Sequence, residues 1–179
     1  ARQRDRVAFD AARGELDVLV IALPFSIPGV RTQVVYEEPF SVVVPEGHRW
    51  SERKAVKPAE LAEENLLVLN AGHCFRDQVL EAWVGQANTA LPDGRAGSSL
   101  ETIRNMVASG LGVSVVPSSA LAARYATKLL KAIPFASPAP SRKVALAWRS
   151  SFDRPMAIDV LANAVRSVKV SGLKIAKAA

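Results

Sequence analysis

Leu66–Trp83, LLVLNAGHCFRDQVLEAW, decides the fold class and holds the only cysteine of the 179-residue chain. Leu66–Leu69 is an apolar run of strand length, and Asn70-Ala71-Gly72 is turn chemistry. Phe75, Val79 and Trp83 then recur at four-residue spacing, as on one face of a helix. Such a strand–turn–helix unit puts Cys74 at or near a helix N-terminus, where unpaired N–H groups and the dipole favour negative charge. His73 precedes it and Arg76 follows two residues on. Surroundings of this kind favour the thiolate, the form in which a thiol reacts. The competing reading is a small buried hydrophobe, the commoner fate of a free cysteine. Asp77 and Gln78 lie three and four residues after Cys74 and share its helix face. For Asp77, solvation, a cap or an ion pair with Arg76 serves equally well.

Outward from this unit, strands alternate with helices. Toward the N-terminus, residues 3–13 read as a helix capped by Gly14, and Leu16–Leu23 as a strand covered on both faces. Thr32–Tyr36 and Phe40–Val44 read as two strands separated by Glu37-Glu38-Pro39. Pro45-Glu46-Gly47-His48 is a turn, and Pro58–Glu63 one helical turn. Toward the C-terminus, Gly85–Gly97 is a polar loop, and Ser98-Ser99-Leu100-Glu101 reads as a capping box with Ser98 as N-cap and Glu101 reaching back. The helix it opens buries Leu100, Ile103, Met106 and Val107 and ends at Gly110. Val113–Val116, Leu129–Ile133 and Val144–Trp148 read as strands, with a short helix after Pro117 and a proline-rich loop at Pro134–Pro140. Met156, Val160, Leu161, Ala164, Val165 and Val168 mark a last amphipathic helix. Parallel sheets with right-handed crossovers are the economical topology for this order. The extended stretches near Glu37–Phe40 and Val144–Arg149 read as two crossings between lobes. One lobe is then 1–38 with 149–179 and the other 39–148. Ligands of such folds bind at strand carboxyl ends, often in the crevice between lobes.

Composition narrows the function. The chain is 49% hydrophobic and 22% charged, hence globular, and no apolar run approaches the ~20 residues of a bilayer span. No signal peptide is read at the N-terminus, and one free thiol suits a reducing cytoplasm, so a cytoplasmic location without membrane contact is expected. The net charge of +6 comes from scattered basic residues, with Lys169, Lys174 and Lys177 in a solvated tail. No phosphate-binding or dinucleotide loop is present, because Gly110-Leu111-Gly112 follows a helix and precedes a strand. Cys74, His73, His48 and Asp77 lack zinc-finger spacing, so neither a metal nor another cofactor is expected. A cysteine hydrolase needs a separate activating histidine, and the chain has only His48 and His73.

GHCFRDQ (Gly72–Gln78) followed by SSLETIRNMVASGLGVSVVP (Ser98–Pro117) closely resembles the regulatory domain of the OxyR-like, peroxide-sensing group of LysR-type transcriptional regulators. GELDVLVIAL (Gly14–Leu23), YEEPFSVVVPEGHRW (Tyr36–Trp50) and VALAWRSSFDRP (Val144–Pro155) extend the resemblance. It implies a periplasmic-binding-protein-like fold of two α/β lobes joined by two crossings, and a homodimer or tetramer formed through regulatory domains. It implies hydrogen peroxide as effector, with DNA and RNA polymerase as partners of the full-length regulator only, and a signalling module, not an enzyme. By motif, Cys74 resembles the peroxidatic cysteine, with His73, Arg76 and Asp77 matching the residues around it. Two departures stand out. The group has a resolving cysteine nine residues after the first, where this chain has Trp83. The winged helix-turn-helix and first β-α-β portion of lobe one find no match, and residues 1–13 match poorly, so an incomplete first lobe is expected. The rival functions are a regulatory domain that binds a small metabolite between lobes, with Cys74 a bystander, and a thiol peroxidase.

Overall fold

The structure, a computed structural model, describes residues 13–84, 96–122, 126–170 and 172–176, with 81–84 described by their backbone alone. The expected helix over residues 3–13 lies outside this range save its last residue, and Gly14 takes the left-handed conformation (φ +80°) suited to a helix end. The chain divides into two compact units, Ala1–Glu38 with Ser141–Ala179, and Pro39–Pro140.

Strand β1 (Leu19–Ala22) is shorter than the apolar run that contains it. It is also less covered than expected: Leu19 is buried but Val20 is 63% exposed. β2 (Val30–Pro45) corrects a second expectation, since 16 residues form one strand where two were read. Proline lacks the N–H of a ladder bond. Pro39 nevertheless fits, because it stands just ahead of the first register pairs to the neighbouring strands, Phe40↔Pro117 and Ser41↔Pro134. Its carbonyl accepts a hydrogen bond from Ser118 Oγ at 2.8 Å.

The second unit is built around β3 (Leu66–Leu69), all four residues of which are buried. A continuous apolar run suits a strand covered on both faces, and β3 lies between β4 (Ala96–Gly97) and β5 (Val113–Pro117), parallel to both. Ala96 and Gly97 are thus strand, not the end of a loop, and the rest of Gly85–Gly97 lies outside the described residues. The strand order is β4-β3-β5-β2, with β6 (Leu130–Pro134) also on β2. β2 runs antiparallel to both β5 and β6, so the topology is mixed and not parallel throughout. The chain enters this unit on β2 directly, without a helical crossover to reverse it, whereas β3, β4 and β5 are joined through helices α1 (Cys74–Val84) and α2 (Leu100–Ala108). A 3-10 helix at Pro58–Glu63 matches the expected helical turn. On α2 the inward residues are Ile103 and Val107, with Leu100 and Met106 packed at the edge of the same core. Full burial of each stabilises by about 1.5–3 kcal/mol.

The chain returns to the first unit on β7 (Ser141–Arg149), which pairs with β1 from Leu19↔Ala147 to Ala22↔Val144. That pairing corrects the second crossing, which falls at Pro140/Ser141 and not after Trp148. Helix α3 (Pro155–Ser167) follows, and β8 (Lys174–Ile175) pairs with β2. The face of α3 also differs from expectation. Ile158 and Ala162 are buried, with Val165 packed beside them, while Met156 (80% exposed) and Val160 (69%) point to solvent. Among the described residues no helix is long and apolar enough to cross a membrane.

Candidate functional site

The site begins where β3 ends. After Leu69 the backbone turns through Asn70–His73, the His73 amide donating to the Asn70 carbonyl at 3.4 Å. Gly72 takes φ +100°, a conformation that L side chains resist, which accounts for a glycine at this turn. α1 starts at Cys74. Phe75 and Val79 are buried, and Phe75 meets Phe40 edge-on with ring centroids 5.3 Å apart at 85°. These two anchors fix the rotation of α1 and leave Cys74 on the outer side, exposed. The reading of Cys74 as a small buried hydrophobe is thereby overturned.

The predicted neighbours of the thiol take distinct places. His73 is half-buried in the turn. Arg76 is half-buried and its Nη1 donates to the Leu69 carbonyl at 3.4 Å, so the guanidinium spans from the first turn of α1 back to the end of β3. It braces the turn that carries Cys74 and brings positive charge to it. Asp77 is exposed in the first turn, where the helix dipole favours a carboxylate. Gln78 is half-buried on the following turn. The side chain of Trp83 lies outside the described residues. His48 is elsewhere: its Nδ1 accepts the Trp50 amide at 3.2 Å and its Nε2 stands 3.4 Å from Glu64.

A second junction joins the first at the same end of the sheet, because β3 and β4 are parallel. Gly97 ends β4, its carbonyl accepting the Asn70 amide at 2.9 Å, and α2 starts three residues later. The expected capping box is out of register by one residue. Ser99, not Ser98, is the N-cap, its Oγ accepting the Thr102 amide at 3.1 Å. Thr102 occupies the third helical position in place of Glu101, and its hydroxyl lies 3.2 Å from Ser99 Oγ and 3.4 Å from Ser98 Oγ. The adjacent serines carry the same capping signal, and only the helix start distinguishes them. The N-termini of α1 and α2 thus lie at the same end of the parallel strands β3 and β4.

Comparison with known proteins places this geometry. Residues 3–169 match the LysR substrate binding domain family. A probable hydrogen peroxide-inducible genes activator of Streptomyces viridosporus is 38% identical over 157 residues, 86% of this chain and 49% of that protein. The DNA-binding transcriptional dual regulator OxyR of Escherichia coli K12 is 32% identical over 154 residues, 86% of this chain and 50% of that protein. The chain therefore spans about half the length of these relatives. The reduced OxyR regulatory domain of Pseudomonas aeruginosa superimposes with a TM-score of 0.80 at 46% identity, covering 92% of this chain and 79% of that one. With its periplasmic-binding-protein-like fold, mixed sheet and GHCFRDQ turn, the chain belongs to the LysR substrate-binding-domain family, among the OxyR regulatory domains.

Proposed function

We propose that this chain is the peroxide-sensing module of a LysR-type regulator and that Cys74 is the residue peroxide oxidises. The observation that carries the reading is the exposed thiol on the first residue of α1, within GHCFRDQ and above two buried anchors. The thiolate attacks one oxygen of hydrogen peroxide, the O–O bond breaks, and the sulfur becomes a sulfenic acid while hydroxide leaves and takes a proton. Arg76 supplies positive charge in the turn that carries the attacking sulfur, His73 and Asp77 stand beside Cys74 in the same turn, and the departing hydroxide takes its proton from solvent at the exposed thiol.

No second cysteine exists in these 179 residues, with Trp83 at the place of the resolving one. Oxidised Cys74 therefore persists as a sulfenic acid or forms a disulfide with a thiol from outside this chain. The domain acts stoichiometrically, as a switch and not a turnover enzyme. In the parent protein it assembles as a homodimer or tetramer, and oxidation alters how that assembly meets DNA and RNA polymerase.

The test is the rate at which near-stoichiometric hydrogen peroxide oxidises the chain, the sulfenic acid being trapped and weighed by mass spectrometry. A rate far above that of a free thiol, lost in Cys74→Ser and lowered in Arg76→Gln, is expected. A rate equal to that of an ordinary thiol refutes the reading.

A further inference from the structure

The chain holds two methionines, and the fold treats them oppositely. Met106, on α2, is packed against the core of the second unit, and its carbonyl accepts the Leu111 amide at 3.1 Å. Met156, on the first turn of α3, is 80% exposed, more than any other large apolar side chain among the described residues. Val160, four residues on, stands beside it on the helix surface and is exposed as well. The N-cap of α3, Arg154, makes no side-chain cap bond, and the first turn holds no acidic residue. An oxygen with partial negative charge is favoured at this end of the helix dipole.

A thioether is a soft, polarisable nucleophile, and its oxidation to the sulfoxide turns a flexible apolar side chain into a polar one. That change disrupts a core and leaves a solvated surface intact. We propose that Met156 is a reversible oxidation site, separate from Cys74, that hydrogen peroxide in excess converts to the sulfoxide. The Met156 sulfur attacks one oxygen of the peroxide and the O–O bond breaks. The oxygen bound to sulfur passes its proton to the departing hydroxide, which leaves as water. The sulfur is oxidised by two electrons, and the peroxide is reduced by the same two. The product suits its place: the new oxygen meets solvent at the positive end of α3, and Ile158 and Ala162, the buried residues of that helix, are untouched. The surface of the first unit thereby carries a polar mark where an apolar side chain stood, with its fold preserved. Methionine sulfoxide reductases remove the oxygen and restore the site. None of this depends on what Cys74 senses.

The test exposes the whole 179-residue chain to excess hydrogen peroxide and follows each methionine by peptide mass spectrometry. Met156 is expected to take up oxygen about five- to thirtyfold faster than Met106, whose thioether is reached only when the edge of α2 opens. The same ratio is expected in Cys74→Ser, and methionine sulfoxide reductase should reverse the change in the folded chain. Met156→Gln, a polar stand-in for the sulfoxide, should keep the urea midpoint of the native chain, whereas Met106→Gln should lower it. A ratio below about fivefold, or one that collapses in Cys74→Ser, overturns the proposal. So does a Met156 sulfoxide that the reductase cannot remove from the folded chain, or a Met156→Gln midpoint that falls with that of Met106→Gln.

Discussion

Replacing Gly97 by alanine tests the packing beneath the candidate site at a single atom. A Cβ added to Gly97 meets Ile103 Cδ1 at 2.8 Å, Ile103 Cγ1 at 3.0 Å and the Ile103 amide nitrogen at 3.4 Å. Ile103 is buried in the core, and its amide donates to the Ser99 carbonyl at the start of α2, so neither side chain nor backbone is free to retreat. Overpacking of this kind costs about 1–3 kcal/mol. Alanine also restricts the unfolded chain, which returns about 0.4–1 kcal/mol, leaving a net loss of roughly 1–2 kcal/mol. Ile103→Val deletes Cδ1, the nearest atom, and alone costs about 0.5–1.5 kcal/mol. Combined, the new methyl occupies part of the space that Cδ1 vacates. The double variant is then more stable than the sum of the single losses predicts, by about 1 kcal/mol. Urea unfolding of the four proteins, followed by far-UV circular dichroism, measures that interaction energy. Losses that add within about 0.3 kcal/mol mean that Gly97 and Ile103 do not confront one another, and the argument fails.

Three further outcomes follow from the same packing. Ser99→Ala should lower stability by about 1 kcal/mol, whereas Ser98→Ala should stay within about 0.5 kcal/mol, and chemical unfolding of the two distinguishes the cap. On α3, Val160→Lys should change the unfolding midpoint by less than the equivalent of about 0.5 kcal/mol, while Ala162→Leu, on the buried face, should cost about 1–3 kcal/mol. Burial, and then the nearby Glu38 carboxylate, hold the Tyr36 phenol above its ordinary value of 10.0, against a smaller opposing effect of Arg142. The unfolded chain then releases this proton at lower pH than the folded one. The contribution of Tyr36 to stability is therefore complete below pH about 10 and declines as pH rises beyond it. Ultraviolet titration in a Tyr125→Phe background, which leaves Tyr36 as the only tyrosine, should show a midpoint above that of free tyrosine.

The parts of the fold legible in the sequence are those whose signals are local. β3, its turn and α1 are read from an unbroken apolar run, a glycine where the turn needs φ above zero, and two apolar residues four apart. Where the deciding partner is distant, the sequence misleads. Glu37-Glu38-Pro39 looks like a break because two acids and a proline rarely continue a strand. Yet Glu38 meets Arg142, 104 residues away, and Ser141 meets Glu37 at the same separation, and no local pattern announces either. On α3 the apolar residues run nearly all round the helix, so a 3.6-residue period fits two faces. The structure selects Ile158, Ala162 and Val165 because they pack on Val144 and Leu146 of β7, a contact the periodicity does not contain. The capping serine was ambiguous for a simpler reason: two adjacent residues carried the same chemistry.

The exposure of Cys74 is a product of this packing more than of its own side chain. Successive helix residues step by about 100°, so burying Phe75 and Val79 turns Cys74 away from the core. A shift of one residue in the start of α1 that moves Cys74 into the place of Phe75 buries the thiol and moves the phenyl ring out of the core to the half-buried place of Arg76. The Phe40–Phe75 contact, the Arg76 bond to Leu69 and the Asn70 bond to Gly97 each oppose that shift. On the proposed reading, an anchored helix that presents the sulfur outward is the arrangement that an encounter with peroxide from solvent requires.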